Sequence, residues 1–337
     1  MISLCHAVAL PDLTSVSEAR RALQKVAIPL GMDEIKAGEA AIIVTEAARN
    51  AVVHGGGGQL LLAGSRRGES EEIRLLILAL DSGHGIADLP RAMRDGFSTG
   101  STPGTGLGAI RRLATNFDVF SSTKGTAVLA EVVQRPTPLP RLLDIAGFAV
   151  PITGERVCGD ASHWVQSENR LAITLVDGLG HGFHAAEAAA EAVQIFQKHS
   201  TQPPAEILAH MHDALKKTRG AAAAVAEIRP LSGTINFAGV GNISAAVLSK
   251  TLSRNLVSHN GTLGHVMSRT QEFKVEWPRD AMLVMHSDGV QTRWDLSGYP
   301  GLMARSSAII AGVLYRDFRR ERDDSSVVVV KNNNTEL

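Results

Sequence analysis

Ile73-Arg74-Leu75-Leu76-Ile77-Leu78-Ala79-Leu80 runs directly into Asp81-Ser82-Gly83-His84-Gly85. The first eight residues are almost continuously apolar, the pattern of a buried strand. An acidic residue at the end of such a strand can accept a hydrogen bond from an adenine amino group. The glycines behind it let the backbone approach a flat ring. Taken alone, the motif reads equally well as a turn capped by an Asp.

Upstream, Asp33 is suited to cap a helix that continues to His54 and is stopped by Gly55-Gly56-Gly57-Gly58. Glu46 and Asn50 stand at i, i+4 on it and share one face. A carboxylate and an amide on one ridge suit a hydrated Mg²⁺ and a positioned nucleophile, although such pairs are common on solvated faces. Downstream, Gly104-Thr105-Gly106-Leu107-Gly108 precedes a helix expected from Gly106 to Asn116. A glycine-rich loop feeding a helix N-terminus suits phosphate. It does not follow a strand, so it is not a dinucleotide fingerprint, and it lacks the Gly-Lys-Ser/Thr end of a Walker loop.

In this order, the three motifs resemble the N-box and the two glycine boxes of the GHKL-type ATP-binding fold. Gly125-Thr126 resembles the late Thr that supports the adenine site. Within that family the stretch is most similar to the small switch kinases of the RsbT/RsbW type. Ala92-Met93-Arg94-Asp95-Gly96-Phe97-Ser98-Thr99 and Arg111-Arg112-Leu113 add to the likeness. The resemblance implies that Glu46 is a general base towards a protein Ser or Thr. It implies that Asn50 binds Mg²⁺ on ATP and that Asp81 reads adenine. Gly83, Gly85, Gly104, Thr105, Gly106, Leu107, Gly108 and Thr126 would complete the ATP site. His54 is expected to be structural.

The second half carries Asp160 after Gly159, Asp177-Gly178 and Asp288-Gly289 after apolar strands, and Asp323-Asp324 before Val327–Val330. Each Asp-Gly alone is more often a turn than a ligand. Hard carboxylates without Cys or His suit Mg²⁺ or Mn²⁺. Two such ions can activate a water for attack on phosphorus. Cys158-Gly159-Asp160, Val176 to Gly182, Gly241-Asn242-Ile243, Ser287 to Val290 and Arg322 to Ser326 follow the motif order of the SpoIIE-type branch of the type 2C protein phosphatases, and the small size resembles its RsbX-like members. That resemblance implies that Asp177 bridges two Mn²⁺ or Mg²⁺ ions and that the Gly178 carbonyl binds one. Asp288 and Asp323 would complete the other site, and Asp160 would bind metal directly or through water. Asp324 is the less expected ligand of its pair, because the family's ligand is generally the first position. His181 is expected to be structural or to stand beside the ligands, and His184 to lie on a helix face.

Arg135-Pro136-Thr137-Pro138-Leu139-Pro140-Arg141 separates the halves. Alternate prolines remove donors and hold the chain extended. The expected organisation is an ATP-binding switch-kinase domain over 1–135, a linker over 136–141 and a phosphatase domain over 142–337. The fold class is α/β (α+β): a GHKL-type α/β sandwich followed by an αββα phosphatase sandwich.

The 337 residues hold 34 Lys plus Arg and 34 Asp plus Glu, balanced as 14 of each sign up to residue 140 and 20 of each after it. No basic half is present to bind nucleic acid or an anionic membrane. Cys5 and Cys158 are the only cysteines and have no ligand spacing, so a disulfide framework is not expected. The absence of an apolar span or signal pattern completes the expectation of a cytoplasmic protein. The expected function is bifunctional: phosphorylation of Ser/Thr on a STAS-domain partner of the anti-anti-sigma or stressosome type, and removal of such a phosphate. The alternative is an anti-sigma factor that sequesters a sigma factor, with a phosphatase acting on an anti-anti-sigma protein.

Overall fold

The computed structural model describes residues 4–67, 72–93, 106–136, 142–267 and 270–333. These residues form two compact units. One combines residues 4–136 with 295–316, and the other combines 142–294 with 317–333.

The first unit begins with β1 (Leu4–Leu10), α1 (Ser15–Leu30) and α2 (Glu34–Val53). It continues through β2 (Gly58–Arg67), β3 (Glu72–Leu80), α3 (Leu89–Ala92), α4 (Gly106–Leu113), β4 (Asn116–Ser122) and β5 (Gly125–Gln134). Asp33 caps α2 as expected, its carboxylate accepting from the Lys36 N–H at 2.8 Å. The strands form one antiparallel sheet in the order β1-β2-β3-β5-β4. Alternation decides the core. Leu75, Ile77 and Ala79 of β3 join Val128, Ala130 and Val132 of β5 and the buried faces of α1, α2 and α4.

The second unit contains β6 (Leu143–Val150), β7 (Asp160–Ser167), β8 (Arg170–Gly178), α5 (Phe183–His199) and α6 (Pro204–Ala214). There follow β9 (Ala221–Arg229), β10 (Thr234–Val240), β11 (Ser244–Leu248), β12 (Ser253–Leu256), β13 (Gly261–Thr262), β14 (Val266–Met267), β15 (Phe273–Glu276) and β16 (Met282–His286). Helix α7 (Ser307–Phe318) and β17 (Ser325–Asn332) close the chain. Two five-stranded sheets result, β15-β10-β9-β8-β7 and β12-β11-β16-β17-β6. Leu171, Ile173 and Leu175 of β8 point between the sheets, where they meet Val247, Leu283 and Val328. Ala172 and Val176, on the opposite face, pack under Ala188, Phe196 and Leu208 of α5 and α6. The run of alanines in β9 is divided the same way, which lets sheet and helices approach closely.

A division at 136–141 does not anticipate one feature. Residues 295–316, which include most of α7, fold with the first unit and not with the phosphate-chemistry half around them. The reason is steric and polar. Gly312 lies so close to Leu78 that a Cβ there would approach its side chain to 2.6 Å. Tyr315 donates its hydroxyl to Gln59 at 2.9 Å, and the Ser306 N–H donates to Asp118 at 2.7 Å. Residues 137–141 of the proline-rich stretch lie outside the described residues. Among the described residues, no helix is long and apolar enough to cross a membrane.

Candidate nucleotide site and candidate metal centre

The first site assembles where β3, α2, α4 and β5 meet. Asp81 follows the last residue of β3, as expected. Its Oδ1 accepts the Gly83 N–H at 3.0 Å and the Thr126 N–H at 3.1 Å. Burial pushes its carboxyl above the usual range, and those two N–H groups oppose the rise. Asp81 and Thr126, 45 residues apart in sequence, are thus brought together. Asp81 is also held from behind, where Arg316 donates to its carbonyl oxygen at 2.8 Å.

Glu46 and Asn50 lie half-buried on α2. Gly106, the first residue of α4, faces Asn50 so closely that a Cβ would sit 3.0 Å from its amide atoms. The structure therefore places the N-box amide at the N-terminal end of α4, where unpaired N–H groups favour an anion. Leu107 and Gly108 are buried behind it. Gly104, Thr105 and residues 94–99 lie outside the described residues.

The second site lies where strand ends of the second unit converge. Asp160 opens β7 and pairs in register with Asp177 near the end of β8. Asp288 follows β16 and Asp323 precedes β17, two neighbouring antiparallel strands. The Ser287 N–H donates to the Ser326 carbonyl at 3.1 Å, which holds these two loops side by side.

The electrostatics are those of carboxylates crowded on one another. Burial raises the Asp177 carboxyl to about 9, and the charges of Asp160, Asp288 and Asp323 push it the same way. Burial likewise raises Asp160 to about 7, although the Ser287 hydroxyl opposes it. Asp323 is raised, chiefly by burial and then by Asp288. Asp160 is only 5% exposed, and its Oδ2 meets no donor among the described residues. An orphaned buried carboxylate oxygen beside three further carboxylates fits a hard divalent cation. Among the described residues, no three acidic, His or Cys groups stand in closed ligand geometry.

Asp324 has a different task from Asp323. Its two oxygens accept the N–H groups of Ile152 at 2.7 Å and Gly159 at 2.6 Å. It ties the chain before β7 to the start of β17. His181 contacts Glu155 at 2.8 Å and His184 lies 3.5 Å from Glu187, both at exposed positions.

Residues 9–131 match the model of the histidine kinase-like ATPase domain, and residues 167–332 match that of stage II sporulation protein E. The chain is 34% identical over 114 residues to the serine/threonine-protein kinase RsbT of Bacillus subtilis (strain 168), covering 33% of this chain and 84% of RsbT. The chain belongs to the histidine kinase-like ATPase family and carries a SpoIIE-type phosphatase domain. It is also 23% identical over 140 residues to the phosphoserine phosphatase RsbX of the same organism, covering 41% of this chain and 69% of RsbX. A chain from a structure described as "The bacterial stressosome: a modular system that has been adapted to control secondary messenger signaling" is 26% identical with a TM-score of 0.53. That match covers 57% of this chain and all of the other. The structure of RsbX in complex with magnesium shares the fold at 18% identity and a TM-score of 0.51, covering 59% of this chain and 99% of that one.

Two groups of the ATPase and phosphatase domains escaped the reading of the sequence. In the ATPase domain, Ser121 accepts the Ile86 N–H at 2.7 Å and lies 3.1 Å from the Thr126 hydroxyl, which stitches the first glycine box to β4. In the phosphatase domain, Asn242 Nδ2 donates to Asp288 Oδ2 at 2.7 Å. Gly241-Asn242-Ile243 was visible as a motif, but 46 residues separate Asn242 from the carboxylate it holds. Nothing local signals that bond.

Proposed function

We propose that the chain is a cytoplasmic, bifunctional regulator that adds and removes phosphate on Ser or Thr of STAS-domain partners. The observation that carries the reading is the in-register pairing of buried Asp160 with half-buried Asp177, whose carboxyl the charges of Asp160, Asp288 and Asp323 all push up. The identity to RsbT and RsbX supports the two opposed activities, and the stressosome structure supports the class of partner.

In the first domain, Asp81 would accept from the adenine amino group through Oδ2, since Oδ1 is engaged by two backbone N–H groups. The residues at the start of α4 would hold phosphate oxygens with backbone N–H groups, and Asn50 would bind Mg²⁺ accompanying ATP. Glu46, one turn before Asn50 on the same helix, would take the proton from the attacking Ser or Thr hydroxyl.

In the second domain, Asp160, Asp177, Asp288, Asp323 and the Gly178 carbonyl would hold two Mg²⁺ or Mn²⁺ ions. When bound, these ions supply a water acidic enough to attack phosphorus near neutral pH. Asn242 fixes the rotamer of Asp288, and Asp324 fixes the loop that presents Asp160. The test is incubation of the purified protein with STAS-domain proteins, ATP and either metal, followed by mass spectrometry. Phosphate should appear on a Ser or Thr, and its level should rise when Asp177 is replaced. No modified partner under any condition would remove the kinase half of the reading.

A further inference from the structure

The second unit holds a cavity of about 310 Å³ lined by the start of β11, the end of β12 and the loop after β16. It shares a wall with the carboxylate cluster, because Asn242 lines the cavity and also donates to Asp288. Asn242, Ser244, Asn255, Ser258 and Thr292 offer amide and hydroxyl groups, and no lining residue is Asp, Glu, Lys or Arg.

The wall at Trp294 is fixed. His286 Nδ1 lies 2.8 Å from the Ser287 carbonyl, a contact that requires an N–H on that nitrogen. Nε2 of the same ring is therefore the acceptor for the Trp294 indole N–H at 3.1 Å. The ring is neutral in this arrangement. It presents the indole to the cavity without adding charge.

A cavity of this composition lacks the Lys or Arg cation that favours a phosphate dianion over a neutral group. It can hydrogen-bond peptide groups and uncharged side chains. β12 is the edge strand of its sheet, and Ser253, Arg254 and Asn255 on it are exposed. Such an edge offers main-chain partners to an extended segment. We propose that this cavity receives an uncharged, extended stretch of the phosphoprotein beside its phosphorylated residue. The proposal rests on the phosphatase reading above and extends it to how the substrate is chosen.

The test compares three substrates in Mn²⁺: p-nitrophenyl phosphate, a phosphoserine peptide with Gly, Ala and Thr flanks, and the same peptide with Asp flanks. Asn255→Ala and Thr292→Glu change exposed cavity residues outside the carboxylate cluster. Both should raise KM for the neutral-flanked peptide about tenfold while p-nitrophenyl phosphate turnover stays within about twofold. On the wild type, the Asp-flanked peptide should be the poorer substrate by a similar factor. An unchanged peptide KM in both variants, an equal loss on all substrates, or a wild type active on p-nitrophenyl phosphate but on neither peptide would overturn the proposal. A wild type inert towards all three would instead refute the phosphatase reading, and the proposal with it.

Discussion

Asp160 stands directly across the β7–β8 ladder from Asp177, and its Oδ2 meets no hydrogen-bond donor among the described residues. Like charges opposite one another on neighbouring strands are destabilising, and burial increases the cost. Here two more carboxylates, Asp288 and Asp323, act on the same site. The pair weakens the fold locally and is explained by what it can hold.

Replacing one member should therefore separate stability from activity. Asp177→Asn removes a carboxyl whose ionisation its surroundings disfavour. The metal-free protein should be stabilised by about 1 kcal/mol, a rise of about 2–4 °C in Tm. Phosphatase activity should fall about a hundredfold or more. Thermal melts in EDTA and a phosphate-release assay check the two halves. A variant that melts lower in EDTA would show that the carboxylate is satisfied by other means.

The same carboxylates set a pH dependence. Asp160 and Asp177 are held at about 7 and about 9 in the fold, whereas carboxyls of the unfolded chain ionise near about 4. The folded state thus binds more protons between these values. The stability these protons bring is complete below about pH 4 and is lost as pH rises towards about 9. In EDTA, the Tm of the wild type relative to Asp177→Asn should be lower at about pH 8.5 than at about pH 5.5. Added Mn²⁺ should restore most at the higher pH, because ligands must lose protons to bind metal. A difference that grows in the wild type's favour with pH would contradict the assignment.

Asn242 is expected to act on metal affinity through Asp288. Asn242→Ala frees the carboxylate to rotate, and the Mn²⁺ concentration for half-maximal phosphatase activity should rise about 10–100-fold. Activity at saturating Mn²⁺ should largely recover. A lower plateau with an unchanged metal requirement would place Asn242 in another role.

Neighbouring Asp323 and Asp324 should respond in opposite ways. Asp324→Ala leaves the N–H groups of Ile152 and Gly159 without their acceptor and should cost about 2–4 kcal/mol by urea titration. Asp323→Ala should leave the unfolding free energy within about 0.5 kcal/mol or raise it, and should abolish phosphatase activity at any Mn²⁺ concentration. Equal destabilisation by both would erase the distinction.

At the nucleotide site, Gly106→Ala places a methyl 3.0 Å from the Asn50 amide. The amide must shift while the helix gains a better former. Affinity for a fluorescent ATP analogue in Mg²⁺ should drop about tenfold with Tm nearly unchanged. Undiminished binding would show that Asn50 tolerates displacement.

Apolar strands such as β3, β8 and β16 were legible because both their faces are buried, which writes the strand into the composition itself. β7 was not. Asp160-Ala161-Ser162-His163-Trp164-Val165-Gln166-Ser167 is mixed in polarity, and it is a strand because β8 offers it an edge to pair with. Glu46 and Asn50 on one face of α2, and the Asp residues at strand ends, are local arrangements, so the sequence alone offers them as candidates. The Asn242–Asp288 bond, the Asp324 tie and the placement of α7 were not legible, since each joins residues distant in sequence. Asp324 is the less expected ligand of its pair by resemblance, and in the fold both of its oxygens accept backbone N–H groups.

On the proposed function, one chain both adds and removes phosphate on the same class of protein. The most direct measurement uses ATP labelled on its γ-phosphate, a STAS-domain partner and three proteins: wild type, Asp177→Asn, and Asp177→Asn combined with Glu46→Gln. Label should accumulate on Ser or Thr of the partner with Asp177→Asn. Wild type should leave little label, and the double variant should transfer almost none. Equal labelling by wild type and Asp177→Asn, or undiminished labelling by the double variant, would contradict it.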